Sequence, residues 1–253
     1  MTWNPDQYLK FQNEREAPFF DLISHLKPAP KPQIIDLGCG PGTLTVKLLE
    51  VYPDAQVLGV DVSPEMLVKA APLASDQVQF AMQDLRETSG AFDVVFSHAV
   101  LQWLEDHPGV LTHMWNLLKP GGQLAVQLPS NFDSFTYQTA RTVIQRDPYR
   151  EFVHPSGAHR HVLPLEQYAE ILHDLGGKDI QCYQKVYPHV VAGAEGMLEW
   201  IKGTLLVPIM DQLPEPHRDL FLQEVLAELK TRYPGETAFF GFKRTLFYAQ
   251  KPS

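Results

Sequence analysis

The chain has 253 residues, 44% of them hydrophobic and 20% charged, so it is long enough to bury a sizeable core. Its formal net charge of −9 disfavours broad nucleic-acid binding, because phosphate contacts need clustered Lys and Arg. Two cysteines, Cys39 and Cys182, are too few for a disulfide framework or a thiolate zinc site. With no apolar run of membrane-spanning length, we expect a cytoplasmic globular protein that binds neither nucleic acid nor membrane.

Short apolar runs alternate with amphipathic segments from Gln33 onward. This alternation predicts an α/β protein in which helices connect parallel strands. The predicted strands are 33–37, 56–60, 78–82, 92–96 and 123–128, and the predicted helices are 42–51, 64–71 and 107–118. Ligands of such sheets bind beyond the carboxyl ends of the strands.

The segments outside this alternation predict additions to a single domain over residues 1–253. We divide that domain into an N-terminal helical arm (1–30), a ligand-binding core (31–130), a cap with helical elaborations (131–235) and a terminal strand region (236–253). In the arm, residues 6–26 read as helix. In the terminal region, strands 238–240 and 245–249 flank a predicted turn at Gly241–Arg244.

The segment IIDLGCGPGTLT carries glycines at alternate positions directly after the first strand. A dinucleotide fingerprint, Gly-x-Gly-x-x-Gly, would need glycine where this chain has Thr43, so the spacing favours another ligand. Asp36 lies just before the turn, where its carboxylate can pair with a ligand ammonium group.

Acidic residues also end the next two strands. Asp61 follows the second strand, where a carboxylate can accept hydrogen bonds from two ribose hydroxyls, and Asp84 follows the third. Together with Asp36, these acids suit a ligand that carries an amine, a ribose and an adenine, and they would repel a polyphosphate.

The motifs DLGCGPG, GVDVS and QDL resemble those of the class I S-adenosylmethionine-dependent methyltransferases. The resemblance implies a Rossmann-like, mostly parallel seven-stranded sheet flanked by helices with a helical cap, S-adenosyl-L-methionine as cofactor and S-adenosyl-L-homocysteine as product. The residues that it implies in cofactor binding are Asp36, Gly38, Cys39, Gly40, Gly42, Asp61, Val62, Met66, Asp84, Leu85 and Ser97.

The segment FSHAVLQWL after the fourth strand lies at the edge that faces the transferable methyl group. It lacks the Asn/Asp-Pro-Pro-Tyr pattern of enzymes that methylate exocyclic amines of bases, so base methylation is disfavoured. His98 is the candidate catalytic residue, as a general base for a hydroxyl or, mainly, as a positioning group. It could equally bond to the backbone or line the pocket.

Further segments resemble the trans-aconitate 2-methyltransferase family, whose members esterify a carboxylate of a small tricarboxylic acid. They are WNPDQYLKFQNER, VQLPSN, the Tyr187-Pro-His189 pair, Trp200 with Gly203-Thr204, and FKRTLF. The family pattern has an arginine where this chain has Val207. The candidate residues for binding a small anionic carboxylate are Tyr8, Arg15, Trp103, Gln127, Asn131, Tyr187, His189 and Arg244.

Other functions remain open. The segments RHVLPLEQY and WIKGTLL also resemble malonyl-carrier-protein methyltransferases, whose acidic carrier-protein partner predicts a basic patch built from Arg146, Arg150 and Arg160. A non-catalytic S-adenosylmethionine-binding regulatory module and a nicotinamide dehydrogenase are further alternatives. His154, His159 and His161 lack a partner set of carboxylates or thiolates, so no metal site is predicted.

Overall fold

The computed structural model describes residues 12–153, 161–203 and 205–253, with side chains from Glu16 onward. Its seven-stranded sheet has the order β3-β2-β1-β4-β5-β7-β6. The strands are β1 (Gln33–Leu37), β2 (Gln56–Asp61), β3 (Val78–Met82), β4 (Phe92–His98), β5 (Leu118–Pro129), β6 (Lys178–Val191) and β7 (Ala238–Gln250). The predicted Rossmann-like, mostly parallel sheet is therefore confirmed.

Strand directions bring the carboxyl ends of five strands to one edge. β1 pairs in parallel with β2 and β4, β2 with β3, and β4 with β5, whereas β7 runs antiparallel to β5. The chain order reverses at β1, which lies between β2 and β4. A crevice at such a reversal is where open α/β sheets bind ligands.

Helices connect and flank the strands. The α-helices of the described ranges are α1 (Gln12–Ile23), α2 (Leu48–Val51), α3 (Pro64–Ala70), α4 (His107–Asn116), α5 (Phe135–Val143), α6 (Leu165–Asp174), α7 (Gly193–Lys202), α8 (Val207–Gln212) and α9 (Glu215–Arg232). None of these helices combines the length and the apolar character needed to cross a membrane.

The two faces of the sheet bury separate hydrophobic clusters. Neighbouring residues of one strand alternate between them: Ile34 belongs to the cluster of Phe19 on α1, and Ile35 belongs to the cluster of Trp115 on α4. Since both faces are covered, the central strands are rich in apolar residues on both faces, as expected for a parallel sheet, and their polar residues include Asp36, His98 and Gln127.

The chain divides into two compact units. Of the described residues, the sheet unit comprises 12–129, 161–185 and 244–253, and the second unit comprises 130–153, 186–203 and 205–243. Residues 161–185, which we assigned to the cap, group with the sheet unit. β6 and β7 each contribute residues to both units.

Two predicted elements differ from the structure, and one strand was not predicted. The helix expected at 42–51 is a 3-10 turn at Thr45–Lys47 followed by α2, because Gly42 has a φ of +74° and cannot start a helix. The turn expected at Gly241–Arg244 is absent, since β7 is continuous and its buried residues alternate through Phe240 and Phe242. β6 was not predicted; it is an edge strand with mostly exposed or half-buried residues and a proline inside.

Candidate active site

The glycine-rich segment forms a tight turn after β1. The backbone N–H groups of Gly38 and Cys39 both donate to the carbonyl of Val60, at 2.8 and 3.0 Å, and Gly42 N–H donates to the carbonyl of Cys39 at 3.2 Å. These bonds hold the turn against the end of β2, so the segment and Asp61 come together as the sequence predicted.

The three glycines of the turn have positive φ angles but meet different surroundings. A Cβ on Gly38 would lie 2.2 Å from Val100 Cγ2, and one on Gly42 would lie 2.6 Å from Phe80 Cζ. A Cβ on Gly40 (φ +56°) would have no neighbouring atom within 4 Å. Packing inside the protein therefore requires glycine at 38 and 42, whereas Gly40 leaves a cradle that a ligand can occupy.

Asp36 is a buried carboxyl group beneath the turn. Thr45 Oγ1 donates to its Oδ2 at 2.6 Å. Burial raises the pKa of Asp36 to about 7, although the Thr45 hydrogen bond lowers it, and Asp61 raises it further. A ligand ammonium group would favour the ionised form of this carboxyl group.

Asp61 is held at the end of β2 by two backbone donors. Its Oδ2 accepts from Gly40 N–H at 2.8 Å and its Oδ1 from Ser63 N–H at 2.9 Å. Each carboxylate oxygen can accept a second hydrogen bond, so this fixed carboxylate can still receive two ribose hydroxyls.

Asp84 caps the 3-10 turn at Leu85–Glu87 through Arg86 N–H at 2.9 Å. The Arg86 guanidinium forms a two-pronged pair with the same carboxylate, and this pairing lowers the pKa of Asp84. Asp84 is therefore an ionised acceptor at the end of β3. Its contact with adenine stays a prediction.

Two exposed apolar side chains flank these acids. Val62 is 62% exposed after β2, and Met82 is 70% exposed at the end of β3. Met82 pairs in register with Asp61, and an adenine ring is flat and apolar enough to lie against these two side chains. The sequence analysis named Val62 but not Met82, and the contact of either residue with adenine stays a prediction.

The other predicted cofactor residues are buried. Cys39, Met66 and Leu85 are nearly inaccessible, and burial raises the pKa of the Cys39 thiol far above its usual range. Ser97 Oγ donates to the carbonyl of Leu37 at 2.8 Å and so ties β4 to β1. This bond gives the Ser97 side chain a structural role, and any cofactor contact of these four residues stays a prediction.

Three of the predicted residues lie together where the carboxyl ends of β4 and β5 meet β7. His98 is the last residue of β4 and pairs in register with Gln127 on β5, while Arg244 on β7 pairs with Pro129. Gln127 is fully buried, and Arg244 and His98 are only 4% and 8% exposed. The Gln127 amide lies between them: one of its terminal atoms is 3.1 Å from His98 Nε2, and the other is 3.1 Å from Arg244 Nη1.

Asn131, in the second unit, has a structural position. Its amide nitrogen donates to the carbonyl of Lys243 at 2.8 Å, and its amide oxygen accepts from Lys243 N–H at 2.6 Å. These two bonds reproduce a strand pairing beyond the end of β5. The predicted substrate contact of Asn131 stays a prediction.

Tyr187 and His189 are buried on β6, also in the second unit. The His189 ring packs on Trp200 of α7 with 4.7 Å between ring centroids, and Phe242 adds a third ring at 5.3 Å from Trp200. Of the predicted pair, His189 is thus part of an aromatic cluster. The contact of either residue with substrate stays a prediction.

The remaining candidates are placed only in part. Trp103 is half-buried in the 3-10 turn at Leu101–Trp103 of the sheet unit. Arg15 lies on α1, and its side chain is outside the described set, as are Tyr8, His154 and His159 entirely. Within the described residues, no three His, Cys, Asp or Glu side chains lie close enough to hold a metal ion.

The comparisons with known proteins agree with this geometry. A family model described as "Methyltransferase domain" matches residues 29–169, which is more than half of the chain. The solved structures of similar fold include the YcgJ protein of Bacillus subtilis, with a TM-score of 0.64 and 16% identity over 94% of this chain and 99% of that chain. Fold, acidic strand ends and family match together define a class I S-adenosylmethionine-dependent methyltransferase.

Relatives of similar length show which family within this class of methyltransferases the chain resembles. A trans-aconitate 2-methyltransferase of Deinococcus radiodurans is 43% identical over 100% of this chain and 99% of its own. One from Mycobacterium sp. (strain KMS) is 37% identical over 98% and 99%. The chain therefore belongs to the trans-aconitate 2-methyltransferase family.

A structure of phosphoethanolamine N-methyltransferase 2 from Haemonchus contortus, solved with S-adenosyl-L-methionine, shares the fold. Its TM-score is 0.57, with 20% identity over 93% of this chain and 52% of that one. The cofactor of the present enzyme is S-adenosyl-L-methionine, and the residues that fit it are Asp36, the Gly40 cradle and Asp61.

Proposed function

We propose that this enzyme methylates a carboxylate oxygen of a small tricarboxylic acid, with trans-aconitate as the first candidate. The observation that carries the proposal is the buried guanidinium of Arg244, held beside Gln127 and His98 at the carboxyl ends of β4 and β5. The full-length identity to trans-aconitate 2-methyltransferases supports the same substrate class.

Arg244 suits a carboxylate for two physical reasons. Its guanidinium is always charged and offers N–H donors in a planar fork that matches the two oxygens of a carboxylate. Because Arg244 is only 4% exposed, its charge acts through a medium of lower effective dielectric than water and attracts an anion more strongly. A neutral amine or base ring would gain much less from this group.

Methyl transfer to a carboxylate requires little from the protein beyond positioning the two reactants. A carboxylate has a reference pKa near 4, so at neutral pH it is already the anionic nucleophile and needs no base. When bound, S-adenosyl-L-methionine supplies an electrophilic methyl group whose bond to sulfur breaks as the new bond to oxygen forms. The side chains align the carboxylate and exclude water, for which effective-molarity arguments allow about 7 to 11 kcal/mol at most.

The carrier-protein alternative depends on a basic patch that the described arginines do not form. The guanidinium of Arg146 is paired with Glu224 and Glu228, and that of Arg150 with Asp147. Each positive charge is matched by a carboxylate, so these residues offer little net attraction to an acidic partner. Arg160 lies outside the described residues.

The test is a substrate panel with a methyl donor labelled with deuterium on the transferred group. Trans-aconitate, cis-aconitate, isocitrate, itaconate and malonyl carrier protein are incubated separately, and products are read by mass spectrometry. We expect a labelled product from trans-aconitate that mild alkali hydrolyses to labelled methanol, as an ester requires. Alkali-stable product, labelling of the carrier protein alone, or binding without turnover of any acid would each reject the proposal.

A further inference from the structure

The inference concerns the protonation of His98 and rests on the function proposed above. The Gln127 amide lies between Arg244, which can only donate hydrogen bonds, and His98, which can donate or accept them. Arg244 Nη1 and the backbone N–H of Leu128 both approach the same atom of the Gln127 amide, at 3.1 and 3.2 Å. Two donors require an acceptor, so this atom is the amide oxygen.

The orientation of the Gln127 amide then determines its other contact. Its nitrogen lies 3.1 Å from His98 Nε2, and an amide nitrogen is a donor only. His98 Nε2 must therefore accept the bond and carry no proton. In a neutral imidazole the single proton is then on Nδ1.

We propose that Gln127 is a positioning residue that fixes His98 as its Nδ1–H tautomer, with Arg244 holding the Gln127 amide in the orientation that does so. The Nδ1–H of this tautomer is a group that can donate to a carboxylate, and His98 does not act as a general base. Gln127 itself is fully buried and acts through His98.

The consequence is selectivity for the class of acceptor. A hydroxyl acceptor needs a base to remove its proton during methyl transfer, and an imidazole with Nδ1 protonated and Nε2 already accepting a hydrogen bond does not provide one. A carboxylate needs the opposite, a donor that holds one oxygen while the other attacks. The relay from Arg244 through Gln127 to His98 therefore favours acids over alcohols.

The tautomer can be read by NMR on protein that contains no substrate. Long-range proton–nitrogen spectra of histidine-labelled protein, at a pH where imidazoles are neutral, distinguish protonated from unprotonated ring nitrogens. The ten histidines of the chain are sorted by preparing His98→Gln and noting which ring pattern disappears. We expect the His98 pattern of an Nδ1–H ring.

The variant Gln127→Glu should reverse the tautomer that position 127 imposes on His98, without changing side-chain size. One carboxylate oxygen replaces the acceptor for Arg244 and Leu128, and the other now faces His98 Nε2 and requires a donor there. The His98 pattern should change to that of an Nε2–H ring. Gln167→Glu, on the exposed face of α6, adds the same charge elsewhere and should leave the pattern unchanged.

Kinetics separate this role from a purely structural one. Gln127→Glu should raise the KM for trans-aconitate by about 10- to 100-fold, the range for losing a hydrogen bond to a charged group. The Kd for S-adenosylhomocysteine should be unchanged, because the hydrogen bonds that hold Asp36 and Asp61 do not involve Gln127. Gln127→Met, which adds no charge, should give a mixture of both tautomers and an intermediate KM.

An Nε2–H pattern in the wild-type protein, or an unchanged pattern in folded Gln127→Glu, would overturn the inference. These outcomes are independent of the substrate panel. If His98 is the Nδ1–H tautomer and no acid is methylated, the proposed function fails and the tautomer assignment stands. If the ester forms and His98 is an Nε2–H ring, the assignment alone fails.

Discussion

Asp36 is a carboxyl group whose surroundings favour its neutral form in the free enzyme. Burial raises its pKa to about 7, and Asp61 nearby adds like-charge repulsion. The amine of the cofactor is cationic, and in the site that we propose it pairs with the ionised carboxylate. Cofactor binding must therefore release a proton from Asp36 at any pH below that value.

This linkage predicts a pH dependence of affinity. Between pH 7.5 and pH 6, the ionised fraction of a group with a pKa of about 7 falls about eightfold, so S-adenosylhomocysteine should bind about eightfold more weakly at the lower pH. Calorimetry at pH 6 in two buffers of different ionisation enthalpy should report close to one proton released.

Asp36→Asn is the matched control, since it keeps the shape of the side chain. It should bind the cofactor more weakly at pH 7.5 and should lose most of the pH dependence. Equal proton release in the variant and the wild type would assign the proton to another group.

Gly40 and Gly42 make a second comparison at the scale of single residues, because they share a positive φ but not their surroundings. Gly40→Ala should cost about 1 to 2 kcal/mol of stability from the φ angle alone, and its methyl group should weaken S-adenosylhomocysteine binding by at least about tenfold. Denaturant unfolding and calorimetry measure the two effects.

Gly42→Ala serves as the contrast. Its methyl group would lie 2.6 Å from the Phe80 ring, so overpacking should add about 1 to 3 kcal/mol to the cost of the φ angle. If Gly40→Ala were the less stable variant, or bound the cofactor as well as the wild type, the cradle at Gly40 would not be a ligand site.

Among the elements, the five parallel strands were predictable and the last two were not. β1 and β3 match their predicted bounds, because short apolar runs between turn signals are read directly from the sequence. β6 has only two buried residues among fourteen, so its polar edge gives no strand signal. In β7, Gly241 reads as a turn, although the apolar alternation continues through it.

Val207 is the first residue of the short helix α8, and a substitution at this position tests the substrate assignment. If it occupies the position of the family's arginine, Val207→Arg should lower the KM for trans-aconitate. A cation at a helix N-terminus costs only about 0.3 to 1 kcal/mol, so the fold should tolerate it. Steady-state kinetics measure the change.

Val207→Met separates the charge from the longer side chain and should leave KM near the wild-type value. Asp211 lies four residues along the chain and would be able to pair with the new arginine. An unchanged KM in both Val207→Arg and the double variant Val207→Arg with Asp211→Asn would refute the alignment of this segment.

At the scale of the whole molecule, the predicted site residues divide between the two units. Asp36, Asp61, Asp84, His98, Gln127 and Arg244 belong to the sheet unit, and Asn131, Tyr187 and His189 belong to the other. Strand ends are predictable from sequence because the fold places them together, which is why the sequence placed Asp36, Asp61 and Asp84 at one edge of the sheet. The roles of the first group stay predictions. The second group depends on packing, such as the His189–Trp200 contact, that no local pattern encodes.

Hydrogen exchange tests the placement of the cofactor across the molecule. S-adenosylhomocysteine should slow exchange most in the segments 33–63 and 78–87, whose backbone forms the glycine turn and the acidic strand ends. α7 and α9 of the second unit provide the internal reference. Protection confined to those two helices would contradict the assigned site.

Different strands of the sheet are proposed to bind the methyl donor and the methyl acceptor, and this separation affects how such enzymes diverge in evolution. In the site that we propose, residues at the ends of β1 to β3 bind the methyl donor, while Gln127 and the buried Arg244 come from β5 and β7. Mutations that retune the acceptor can therefore accumulate in a duplicated gene without eroding its hold on the donor. New acids can be recruited by descendants that never lose methylating power.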